Sequence, residues 1–290
     1  MKPTAILYLA LVVCVSTAAS ETVEQTAPLK PGNRVEIHNH SGSIEIEGWN
    51  RDRVEVSAEL SSDASELKFV ASDNKVLIKV VNRGRKRYGG TDLQIMVPKE
   101  THIEVTGVSS DIDVEAVSGR QRLSSVSGDI NTYAFDDEVF ANTVSGDIEI
   151  EGSGEETVID VTTVSGEASV EDVSGEVSVS TTSGDLEVSG NEIQRLNLSA
   201  VSGDIDMEGS LHEKAKVDVE TVNGDVQLDI SGNIEAEFDL ESFNGSISSI
   251  DGHKAKRHSK YGPGRYLEYT RGDGKARIRV NTLNGDIDIY

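Results

Sequence analysis

The sequence predicts an all-β chain. The expected architecture is a β-solenoid or β-roll of stacked two-strand coils of about 19 residues, with an irregular N-terminal β cap. Three observations carry this. First, a corner motif recurs, as Ser127-Gly128-Asp129-Ile130, Ser145-Gly146-Asp147-Ile148, Ser202-Gly203-Asp204-Ile205 and Asn284-Gly285-Asp286-Ile287. Its second position falls at Ser110, Gly128, Gly146, Gly166, Gly184, Gly203, Gly224, Gly245 and Gly285, in steps of 18, 18, 20, 18, 19, 21, 21 and 40. Second, apolar residues between corners recur with period two, as in Leu186/Val188, Leu196/Leu198, Ile205/Met207 and Val217/Val219. That is the pattern of strands with one buried face, and no window shows a helical period. Third, aromatic residues are only 4% of the chain, too few for an ordinary core but sufficient for one stacked from Val, Ile and Leu.

The elements follow in order. Lys2, the apolar run Ala5–Val15 and the small residues Ser16–Ser20 read as a secretory signal peptide over residues 1–20, cleaved near Ala19 or Ser20. The single cysteine, Cys14, falls inside it, so the mature chain is expected to have neither disulfide nor thiol chemistry. Residues 21–98 form the irregular cap. They hold an early corner at Ser41-Gly42-Ser43-Ile44, strand-like runs at 53–58, 76–81 and 93–97, and a protruding loop at 82–91. Residues 99–290 form the regular array. Its half-period shows at Ser118-Gly119 and Ser174-Gly175, each nine residues from a main corner. Nine residues accommodate one short strand and a corner. Val158 and Val161 are expected near one strand. Gly264 stands 19 residues after Gly245 and 21 before Gly285, and so fills the double step as a degenerate copy. The segments 278–280 and 287–290 are read as closing strands. A sandwich of ordinary hairpins is the rival fold, but it does not require identical corners in phase.

Stacking turns the corners into a column. The residue after the glycine runs Asp111, Asp129, Asp147, Glu167, Asp185, Asp204, Asp225, Ser246, Arg265 and Asp286. Unit charges ~5 Å apart repel by roughly 1 kcal/mol in water, so the column needs compensation. One reading makes each carboxylate an acceptor for turn amides. Another makes Asp129, Asp147, Asp185, Asp204 and Asp225 a calcium ladder, with oxygen ligands from adjacent corners. Calcium is the only cofactor the sequence raises. His38 and His40, two apart, form a weaker metal pair.

The net charge of -24 argues against nucleic acid as a partner. No apolar run after the signal segment is long enough to span a membrane. Two basic islands break the acidity: Arg83, Arg85, Lys86 and Arg87, and a second containing Lys254, Lys256 and Arg257. Either can be a partner-binding loop or a solvated one. Arg271-Gly272-Asp273 matches a cell-attachment tripeptide, though three residues match easily by chance. No G-x-S-x-G, H-E-x-x-H or P-loop occurs, so no catalytic residues are nominated.

The recurring VSGDI, the lead-in Met96-Val97-Pro98-Lys99-Glu100-Thr101-His102-Ile103-Glu104-Val105 and the ending RVNTLNGDIDI resemble the bacterial putative-adhesin family of β-strand-repeat proteins, a domain-of-unknown-function family. The resemblance covers about residues 33–290 and implies the repeat architecture. It supplies no catalytic residues to carry over. The expected function is therefore an exported, non-enzymatic structural or adhesive protein of the cell envelope, periplasmic or at the surface, with an envelope polymer or protein as partner. Two alternatives stand beside it. One is a periplasmic scaffold or signalling accessory working through a basic loop. The other is a calcium-dependent protein that binds or cleaves polysaccharide.

Overall fold

The computed structural model describes residues 13–17, 20–60, 65–82, 89–259 and 262–290. All regular structure among them is β, and it winds as a solenoid of short strands paired in parallel with their equivalents in neighbouring coils. No described helix is long and apolar enough to cross a membrane. Of the expected signal segment, only Val13–Thr17 and Ser20 are described, as strand paired antiparallel. The chain divides into two compact units at Tyr133/Ala134.

In the first unit, one row of strands runs Lys75–Asn82, Arg34–His38, His102–Thr106, Gln121–Ser124, all parallel. The other runs Thr91–Pro98, Ser41–Trp49, Ser109–Glu115, Ile130–Ala134, also parallel. The coil that begins the unit therefore lies one layer inside it, and the later segment 75–98 lies outside. Beyond that outer coil, pairing becomes antiparallel. Ser65–Ala71 covers one strand, and Arg53–Leu60 followed by Ser20–Pro28 covers the other. Antiparallel hairpins can end a stack without leaving a long parallel edge open to other chains.

In the second unit the coils stack from Val139–Asn142 and Ile148–Gly152 up to Ile205–Asn223 and Val226–Ile230. Each coil points alternate side chains inward. Ile148, Ala168, Leu186, Ile205, Val226 and Ile287 form one buried column, and Ile159, Val177, Leu196, Val217 and Ile278 face them from the opposite strands. The register of one strand differs from the expected one. Thr157, Ile159 and Val161 point inward, whereas Val158 points out at 41% exposure.

The end of this unit departs from the sequence-order stack. Ala276–Asn284 pairs in parallel with Ile205–Asn223 on one side and with Ala236–Asn244 on the other. Ile287–Ile289 lies likewise between Val226–Ile230 and Ile247–Ser249. The expected closing strands are thus inserted between two coils that precede them in sequence. The degenerate copy at Gly264 is not a coil. Arg265–Thr270 runs antiparallel to Ala236–Asn244, with Lys256–Arg257 antiparallel beyond it, so Arg265 does not continue the Asp column as a stacked corner. This hairpin holds an aromatic cap. Tyr269 stacks on the buried Phe238 at 4.4 Å, and His253 lies against the Tyr269 ring, also at 4.4 Å.

Candidate functional site: the corner columns

The recurring Thr-Val-Ser-Gly-Asp-Ile corner assigns each position a separate job. Its first residue points inward. Thr163 Oγ1 donates to the Gly146 carbonyl at 3.4 Å, Thr282 Oγ1 to Gly224 at 3.3 Å and Ser242 Oγ to Gly285 at 2.8 Å. The glycine is required by space. A Cβ built on Gly166, Gly224 or Gly285 would stand 1.9 Å from the carbonyl oxygen of the glycine in the neighbouring coil, and one on Gly184 or Gly203 at 2.0 Å. At Ser110, which breaks the glycine rule, the side chain is buried, and its hydroxyl has no partner among the described residues.

The carboxylates tie one coil to the next. In the first unit Asp111 Oδ1 accepts the Asp129 amide at 3.1 Å, and Asp92 Oδ1 accepts the Ser43 amide at 3.0 Å. In the second unit Asp147 Oδ1 accepts the Glu167 amide at 2.8 Å. Further along, Asp185, Asp204 and Asp225 accept the amides of Asp204, Asp225 and Asp286, each at 2.8 Å, and Asp286 accepts that of Ser246 at 2.7 Å. Asp185, Asp204 and Asp225, nominated as calcium ligands, do lie consecutively in one column, joined by Asp286. Asp147 stands further down that unit, and Asp129 pairs with Asp111 in the first unit. Among the described residues no group of three or more His, Cys, Asp or Glu side chains is arranged to hold a metal. The like charges are felt by Asp206, one strand position beyond the corner. Burial first, then the charges of Asp204 and Asp185, push its carboxyl above 3.8.

The Ser/Asn position forms its own ladder at the top of the unit. Asn284 Nδ2 donates to Asn223 Oδ1 at 2.8 Å, and Asn244 Nδ2 to Asn284 Oδ1 at 2.9 Å. The valine position points to solvent. Val144, Val164, Val201, Val222, Leu283 and Phe243 are 39–47% exposed and form a ridge along the corner. Only Thr182 interrupts it. Sequence reading missed this ridge, although its signal was present: a valine between an inward Thr and an outward Ser breaks the alternation.

The other nominated residues are dispersed. Arg83, Arg85, Lys86 and Arg87 lie outside the described residues. Lys254, Lys256 and Arg257 are exposed at the terminal hairpin. Nearby, His258 Nε2 contacts Glu241 at 2.9 Å. Arg271 of the attachment-like tripeptide is engaged: it donates twice to Asp251 Oδ2, at 2.9 and 2.5 Å, and lies over the Phe238 ring. His38 Nε2 contacts Glu36 at 2.7 Å, Lys75 contacts the same carboxylate, and His40 lies beyond the end of that strand.

Comparison with solved structures finds distant likenesses, of which two are as follows. A putative cell adhesion protein from Clostridium sporogenes is 9% identical, covering 92% of this chain and 97% of its own, at a TM-score of 0.21. A putative adhesin from Parabacteroides merdae is 11% identical, covering 93% and 96%, at a TM-score of 0.29. No curated protein matches the chain. The sequence profile described as Toastrack DUF4097 matches residues 32–230 and again 197–290. The chain belongs to the Toastrack DUF4097 family.

Proposed function

We propose that this protein is an exported, non-enzymatic, adhesin-like binding protein of the cell envelope, whose working surface is the set of parallel columns at its corners. One observation carries the reading. The backbone of each corner is fixed by glycine packing and by carboxylate-to-amide bonds, so the same outward side chains repeat at the coil spacing of ~4.8 Å. A surface built this way suits a repetitive polymer or an elongated protein partner. In this reading residues 21–98 serve as the end cap and 99–290 as the binding array.

The test has two parts. Beads coated with the protein should adhere to isolated envelope fractions more strongly than albumin-coated beads. Equal adhesion removes the binding reading. Fusing residues 1–30 to alkaline phosphatase, which is active only after export, should give phosphatase activity in intact cells, and an inactive fusion removes the exported location. A second reading, partner capture through a basic loop, is favoured by the exposure of Lys254, Lys256 and Arg257. Under it, neutralising those three residues should abolish bead adhesion that substitution of the corner columns leaves intact.

A further inference from the structure

We propose that the apolar ridge of the second unit docks a basic amphipathic α-helix laid along the stack. Val144, Val164, Val201, Val222, Leu283 and Phe243 occupy the same corner position in successive coils, with Thr182 as the one polar rung. Their side chains take no part in the core, because the preceding Thr, Ser or, before Val201, Ala200 already fills the inward position. The Val144 and Val164 carbonyls are used in stacking, accepting the amides of Ser165 and Ser183 at 2.9 Å. The ridge therefore offers side chains and no free strand edge. A contiguous exposed apolar row of this kind marks an interaction surface.

Spacing selects the form of the partner. Rungs repeat every ~4.8 Å. A helix with apolar residues at i, i+3, i+4 and i+7 offers about one per turn of 5.4 Å, so four turns drift by roughly half a rung. Same-face residues of an extended peptide are ~6.6 Å apart and fall out of phase within about two rungs.

Charge selects its composition. The Asp column stands three residues from the ridge, at most about 10 Å along the chain. Beyond it, the stretches 147–152, 167–172, 185–190, 204–209, 225–230 and 286–290 each carry two or three carboxylates, and none carries Lys or Arg. The other flank of the ridge is uncharged next to it in the lower rungs, at Asn142, Thr162, Ser180 and Ser199, and turns acidic above them at Glu220 and Glu241. A helix with Lys or Arg beside its apolar stripe complements that border. A second copy of this chain supplies no such cations, because it brings the same acidic column to the contact.

This inference rests on the binding reading above, but its test is separate from bead adhesion, so either can fail alone. The probe is a fluorescent 18-residue peptide with Leu at helical a/d/e spacing and Lys elsewhere, titrated into the purified chain at 0.15 M salt and read by anisotropy. Three controls accompany it: the same composition in period-two order, a Ser-for-Leu version, and a Glu-for-Lys version. The ridge is altered by Val144→Thr, Val164→Thr, Val201→Thr and Val222→Thr together, all at exposed positions, with circular dichroism verifying the fold. The helical Leu/Lys peptide is expected to bind, and to bind the altered ridge at least tenfold more weakly. Equal binding by the altered protein overturns the proposal. So does equal binding of the period-two or Ser/Lys peptide, which would show charge attraction alone, or of the Glu peptide. Self-association of the chain that the ridge substitutions abolish would assign the ridge to a second copy instead. If the quadruple variant fails to fold, a photocrosslinker in the peptide's apolar stripe decides, since labelling away from the ridge equally refutes the docking.

Discussion

At the scale of single residues, the corner glycines and the charged side chains make opposite kinds of demand. Gly184→Ala would place a methyl 2.0 Å from the Gly166 carbonyl oxygen. The neighbouring coil must shift, so we expect a loss of about 1–3 kcal/mol or more in urea unfolding. Gly154 has φ +76° but nothing within 4 Å of a built Cβ, so Gly154→Ala should cost only the left-handed backbone penalty of roughly 1–2 kcal/mol. Two carboxylates have opposite pH signatures. Hydrogen bonds from Lys75 and then His38 hold Glu36 below 4.5, so its stabilisation is present above that value and lost as pH falls through the lowered folded-state pKa. Glu36→Gln should therefore lower the melting temperature at pH 7, by an amount that shrinks as pH falls below 4.5. Asp206 is held above 3.8, so its ionised form opposes folding once pH exceeds the raised pKa. Asp206→Asn should raise the melting temperature at pH 7, with the gain fading as pH falls towards 3.8. Equal effects at neutral and acid pH would show that packing, rather than ionisation, governs these positions.

At the scale of strands, the inserted pair Ala276–Asn284 and Ile287–Ile289 has a partner on both sides, whereas among the described residues Lys256–Arg257 pairs on one side only, with Arg265–Thr270. Native-state hydrogen exchange should find the inserted strands among the slowest and the hairpin among the fastest. Deleting 276–290 should release protection in 236–249 as well, since those strands would lose the layer beneath them. Retained protection there would mean that they can pair directly with 205–230. Much of this level was legible in the sequence. The alternation at Leu196/Leu198 and Val217/Val219 fixed which side chains are buried, and the Ser-Gly-Asp spacing fixed the coil length. The insertion was not legible, because Asn223, Asn244 and Asn284 carry the same corner and stack equally well in either order. The double step from Gly245 to Gly285 was read as holding a degenerate coil at Gly264, which instead lies in an antiparallel hairpin. The candidate surface was half legible. The Asp column was visible at once, but its bonds run between coils rather than within a turn, which needs the stacking register. The valine ridge was missed because the corner was followed through its Ser-Gly-Asp positions alone, whereas the exposure of Val201 and Val222 follows from the buried residue that precedes each.

At the scale of the whole molecule, the net charge of -24 makes stability a matter of screening. Raising salt from 0.02 to 0.3 M should raise the melting temperature, because it shortens the reach of carboxylate repulsion. Melts in EDTA, millimolar magnesium and millimolar calcium then separate two effects. Equal shifts in the two metals express screening by a divalent ion. A larger shift in calcium alone would mean that the folded state binds it, by mass action on the Asp column. Under the exported reading proposed above, the first partition to test is between periplasm and cell surface, by protease accessibility of intact cells.

The inserted layer also bears on the order in which this chain can mature. Residues 236–249 leave a ribosome or a translocation pore before 276–289, yet their native neighbour is that later segment. During emergence they face either an empty slot or a premature match with 205–230, whose corners look nearly alike. A register trap is thus built into the repeat, and escape from it requires two near-identical layers to separate again. Refolding from urea should accordingly show a slow phase that vanishes when a chain lacking 236–275 is used, since the later strands would then stack directly where they belong.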